Sequence, residues 1–96
     1  MSPLNKSKLK KIRNKLDKID NQLINIIRKR TNLVKEVLKL KQYKNEIVDK
    51  QRIKTILKKI KKKSIEKKID PRITNKIWNS MIWSYIEFER RNFKKK

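Results

Sequence analysis

The chain has no glycine, no cysteine and no histidine, and only two of its 96 residues are proline. Each absence removes a class of structure or chemistry. Tight hairpins and bulges draw on glycine, whereas long helices do not need it, so a turn-rich β-architecture gives way to an all-α fold. Without glycine there is no phosphate-cradling loop and no dinucleotide fingerprint, both of which use backbone positions that only glycine fills easily. Without histidine or cysteine, zinc sites and histidine-dependent triads fall away. No metal and no organic cofactor is expected. An enzyme built from this chain works with Arg, Lys, Asp, Glu and hydroxyls, by electrostatics and positioning.

Acidic residues are also few: 9 Asp and Glu face 31 Lys and Arg, a formal charge of +22. Such a charge raises nucleic-acid binding as one reading. Lys, Asn and Ile are spread over the whole chain, however, which fits a general residue bias better than one built patch, and nucleic acid is not the expected partner. The N-terminal MSPLNKSKLKK has no apolar stretch of signal-peptide length, and no segment approaches a membrane span. A cytoplasmic protein without a membrane partner is expected. The length suits one domain, residues 1–96, but a single copy of that size buries little apolar surface, so association is expected too.

What the chain has in abundance is helical periodicity. Apolar residues recur at Leu9, Ile12, Leu16, Ile19, Leu23 and Ile26 and, after Arg30, at Leu33, Val37 and Leu40. The alternating spacing of three and four predicts one long helix over about 7–43, with Ser7 as a candidate cap and a narrow seam facing other helices. At about 1.5 Å per residue it would be on the order of 55 Å long, more than a compact monomer of this size covers. A second helix is expected over about 49–63, capped by Asp49 and carrying Ile53, Ile56, Leu57 and Ile60. SIEKKIDPR reads as a connection, with Asp70 as the next cap and Pro71 at the first helical position. The third helix, about 71–93, places Ile73, Ile77, Trp78, Met81, Ile82, Tyr85 and Phe88 on a broad apolar face and ends in a frayed basic tail, NFKKK.

Two polar residues interrupt these faces. Arg30 occupies a seam slot otherwise filled by Leu, Ile or Val, and a buried Arg needs an anion. Beside the seam, Arg13, Asp20, Ile27, Val34 and Lys41 form a column at intervals of seven. Along one helix Arg30 and Lys41 are about 16 Å apart, which two long side chains can bridge around a small dianion, whereas Arg13 and Lys41 are about 42 Å apart. If all three serve one site, Arg13 comes from another subunit. The second interruption is Glu89, four residues after Tyr85 and seven after Ile82 on the apolar face of the last helix. Singly, each of these charges has an ordinary reading as a solvated cation or a salt-bridged acid.

Together they match a pattern. The first helix, LKKIRNKLDKIDNQLINIIRKRTNLVKEVLKLK, closely resembles the opening helix of the AroQ-type, all-helical chorismate mutases, through Arg13, Asp20, Arg30 and Lys41. IVDKQR resembles the family's second-helix opening through Asp49 and Arg52. The resemblance implies a three-helix protomer with a long first helix, forming an intertwined six-helix homodimer with two sites. It also implies the Claisen rearrangement of the dianion chorismate to prephenate, in aromatic amino-acid biosynthesis. In such a site Arg30 and the partner's Arg13 grip the substrate carboxylates, and Lys41 reaches the ether oxygen and a carboxylate. Glu89 stands where many members have Gln and, as the acid, would donate a second hydrogen bond to the ether oxygen. Asp49 and Arg52 would line the ring side, and Asp20 would serve structure.

Two positions depart from the pattern. Ile53 stands where many mutases carry a Glu that contacts the ring hydroxyl, and Tyr85 stands where a small hydroxyl residue is common. Both resemble isochorismate-pyruvate lyases of salicylate synthesis, which makes that activity the alternative; Glu89 favours the mutase.

Overall fold

The computed structural model describes residues 1–94; Lys95 and Lys96, the end of the expected tail, lie outside the described residues. Among the described residues three helices follow in order: α1 (Pro3–Leu40), α2 (Lys50–Glu66) and α3 (Pro71–Asn92), with a single 3-10 turn at Lys44–Glu46. The chain divides into two compact units, Met1–Leu33 and the residues from Val34 onward.

The first unit is helical from Pro3 and buries none of its side chains. Its start differs from the expected one. Ser2, not Ser7, is the cap: Ser2 Oγ accepts the Asn5 N–H at 3.1 Å, and Pro3 opens the helix where a missing N–H costs nothing. Ser7 lies inside α1. Ile12, Leu16, Ile19, Leu23 and Ile26, the expected seam, are all more than a third exposed.

In the second unit α1 ends at Leu40, three residues before the expected end. The Lys41 N–H closes the last turn on the Leu38 carbonyl, and the Gln42 N–H turns to Glu46 Oε2 at 2.9 Å. This bend delivers Ile47 into the core, where it is 3% exposed beside Ile82 and Ile86. α2 begins as expected: Asp49 Oδ1 accepts the Arg52 N–H at 2.9 Å. It continues to Glu66, beyond the expected stop at 63, because the basic run is as helix-competent as the residues before it. The Lys68 N–H then bonds the Ile65 carbonyl and the Ile69 N–H bonds the Ser64 carbonyl, the paired closure of a Schellman motif. Its left-handed position, normally glycine's, is held by Lys68 at φ 59°. Asp70 caps α3 through the Arg72 N–H, with Pro71 in the first turn, as expected.

α2 packs against α3. Ile47, Ile82 and Ile86 form the buried core, and Val48, Ile53, Ile56, Leu57 and Phe93 pack against it. Ile86 was not among the expected face residues, and Phe93, expected in a frayed tail, belongs to this cluster. Conversely Ile73 and Ile77 stay 55% and 52% exposed. α3 thus carries two adjacent apolar rows, and α2 covers one of them. Toward the connection the helices are joined by a buried hydroxyl pair, Ser64 Oγ and Thr74 Oγ1 at 2.7 Å. Ser64 donates to the Ile60 carbonyl at 2.6 Å, which leaves Thr74 to donate to Ser64 and satisfies both groups.

Candidate active site

The centre of the candidate site is an ion pair. Lys41 Nζ donates to Glu89 Oε1 at 3.0 Å, with 17% and 8% of the two side chains exposed. Lys41 is placed by the bend that ends α1. Glu89 lies three residues after Ile86 and seven after Ile82, so the period that buries those isoleucines carries it inward as well. The ammonium keeps further N–H donors for a ligand oxygen, and the carboxylate keeps lone pairs that accept from a ligand hydroxyl.

The other expected residues fall into three groups. Tyr85 is half-buried one turn before Glu89 on the same helix face, and Ile53 is half-buried and packed against the isoleucine core. Asp49 and Arg52 are exposed at the start of α2, where Asp49 spends Oδ1 on the cap. Arg13, Asp20 and Arg30 belong to the first unit. There Arg30 is partly buried, Asp20 is exposed, and Arg13 is exposed along an open groove with Leu9 and Lys10. Seventeen residues of continuous helix put Arg13 about 25 Å from Arg30 along the axis, so one copy does not bring these two guanidiniums together.

Sequence reasoning passed over Glu46. Its carboxylate holds the Gln42 N–H immediately after Lys41, so it positions the bend from which the ammonium is presented. The available signal was an acid six residues after the helix end, which periodicity does not weigh. Among the described residues no group of three or more acidic side chains could hold a metal ion, and no helix is long and apolar enough to cross a membrane.

The family model for chorismate mutase type II matches residues 12–90, from the seam of α1 to the residue after Glu89. The chain belongs to this family. As a chorismate mutase it is an isomerase, rearranging chorismate to prephenate in aromatic amino-acid biosynthesis. The match spans Arg13, Arg30, Lys41, Asp49, Arg52 and Glu89. Comparison with curated proteins and with solved structures gives no match. The reaction suits the available chemistry. A Claisen rearrangement is an intramolecular exchange of one C–O bond for one C–C bond and requires no covalent enzyme intermediate. A mutase needs to hold the reactive conformation and stabilise charge developing on the ether oxygen, which cations and hydrogen-bond donors do.

Proposed function

We propose that this chorismate mutase works in the cytoplasm as a single-domain chain whose two copies intertwine into a six-helix homodimer with two shared sites. The observation that carries the reading is the Lys41–Glu89 pair at the end of a partly covered helix face. In the proposed site Arg30 and Arg13 of the partner subunit each hold a substrate carboxylate in a two-pronged contact. Lys41 exchanges its bond to Glu89 for one to the ether oxygen. Glu89, in its acid form, donates to the same oxygen, so that both groups act where negative charge develops. Arg52 and Asp49 line the ring side, and Tyr85 borders the pocket one turn from Glu89.

A second copy is the occupant that fits the uncovered apolar surface. α1 presents a heptad seam whose Ile12, Leu16, Ile19, Leu23 and Ile26 are exposed, and in the second unit Ile65 near the end of α2, Ile69 in the connection and Ile73 and Ile77 on successive turns of α3 are exposed as well. Nearby, Leu57, Ile60 and Pro71 line an open groove between α2 and α3. A three-isoleucine core is small for an independent fold, and covering these surfaces with another chain supplies the burial that one chain lacks.

Shared sites are testable by mixing. Arg13→Ala and Lys41→Ala chains are each expected to be nearly inactive. When equal amounts are unfolded and refolded together, half of the dimers are hybrids, and each hybrid regains one intact site. About a quarter of wild-type activity should return. No recovery, with hybrids verified by mass, would show that Arg13 does not complete the partner's site. A paired assay with chorismate and isochorismate decides the main substrate. Ile53, being packed into the core and without a polar group, favours the alternative lyase reading. Dominant formation of salicylate and pyruvate would establish it, and faster turnover of chorismate would remove it.

A further inference from the structure

We propose, on the dimer reading above, that assembly of this chain is coupled to anions: its uncovered apolar surfaces are bordered by like charge, and dianions bound in the shared sites supply the missing counter-charge. Beside the seam of α1, the column preceding the first seam position of each heptad reads Lys8, Lys15, Gln22, Lys29 and Glu36, and the opposite column, continued one residue past the helix, reads Arg13, Asp20, Ile27, Val34 and Lys41, so cations outnumber acids five to two. These are the positions whose side chains meet across a helix pair and set its electrostatics. The acids of α1 are Asp17, Asp20 and Glu36, and its N-terminal half holds a dense succession of lysines. In the second unit the apolar groove of Leu57, Ile60 and Pro71 is rimmed by Lys58, Lys61 and Arg72, of which Arg72 is engaged by Asp70.

Whichever apolar rows pair, cations approach cations, because each copy brings a formal charge of +22. Burial of the seam favours association while the bordering charges oppose it. The opposition is strongest at low ionic strength, where the screening length reaches about 30 Å at 0.01 M salt, and it weakens as that length contracts to about 10 Å at 0.1 M. A small dianion held between the copies acts in the same direction as screening but locally. Because a shared site is complete only in the dimer, each occupied site tightens assembly by the full linkage factor, about a hundredfold at a ligand concentration one hundred times its dissociation constant.

Sedimentation equilibrium of the full chain tests this in sodium chloride at low and moderate concentration, and in sodium sulfate and in prephenate at matched ionic strength. The dimer should tighten with chloride, the reverse of an interface held by complementary charge, and tighten further with saturating prephenate than with sulfate. A Lys8→Glu, Lys15→Glu double variant, altered outside the proposed site, should form a tighter free dimer with a flatter salt dependence. If the dimer is too tight for equilibrium measurement, exchange between differently labelled copies is the readout, expected to be fast at low salt and slow with prephenate. A dissociation constant or exchange rate indifferent to chloride and prephenate, or a dimer loosened by salt, would overturn the coupling while leaving the dimer in place. A chain monomeric in every condition would overturn the dimer reading itself.

Discussion

Lys41 and Glu89 are 48 residues apart in sequence and 3.0 Å apart in the fold. In the proposed site this pair supplies the two contacts that the mutase chemistry calls for at a single ether oxygen. Lys41→Ala is expected to lower kcat/KM by about 10²–10³, the usual cost of removing a donor aimed at developing charge. Glu89 accepts from Lys41, and in the proposed site it also donates to the substrate oxygen. Glu89→Gln, which keeps a donor at this position, should retain activity, whereas Glu89→Ala should lower kcat/KM by about 10²–10³. A Glu89→Ala chain as active as Glu89→Gln would show that Glu89 does not act as a donor. In the proposed site Ile53 and Tyr85 bear on specificity instead, since neither brings charge to the ring side.

Among the elements, the connection between α2 and α3 carries the clearest local cost. Lys68 occupies the left-handed position of the Schellman motif because the chain has no glycine to place there. Lys68→Gly should stabilise the fold by about 1 kcal/mol, read as a rise in Tm at unchanged activity. The following cap has its own pH signature. The Arg72 side chain, with the Arg72 backbone N–H, holds the Asp70 carboxyl below its ordinary value of 3.8. The unfolded chain consequently binds that proton more readily. The cap's contribution is complete above pH 3.8 and is lost as pH falls through the lower, folded value. Asp70→Asn retains the capping acceptor but cannot titrate, so its Tm should decline less steeply on acidification than the wild type's. The hydroxyl pair of Ser64 and Thr74 is uncharged and joins the same two helices without any such pH dependence.

For the whole molecule, charge and burial pull in opposite directions. Ile47, Ile82 and Ile86 are a small core, whereas the exposed seam of α1 and the exposed Ile65, Ile69, Ile73 and Ile77 leave apolar surface that a second copy would cover in the proposed dimer. A chain of charge +22 also draws a dianionic substrate toward its site. The second-order rate constant for chorismate should fall as ionic strength rises, while kcat, measured at saturation with the protein fully dimeric, stays level. A salt-independent kcat/KM would mean that the surplus charge does not steer the substrate.

Composition and periodicity by themselves determined that the fold is all-α, that α1 is long, that Asp49 and Asp70 cap the later helices, and that Arg30 and Glu89 sit on otherwise apolar faces. These are local properties, set by propensity, capping chemistry and a repeat of 3.5 to 3.6 residues. The tertiary structure decided what periodicity does not encode. It chose which of the two apolar rows of α3 packs on α2, burying Ile86 and leaving Ile73 and Ile77 outside. It ended α1 at Leu40 so that Ile47 could enter the core, and that same bend brought Lys41 to Glu89. Each of these outcomes depends on contacts between residues far apart in the chain, where burial of a few large side chains outweighs the small free-energy differences that set helix ends and faces locally.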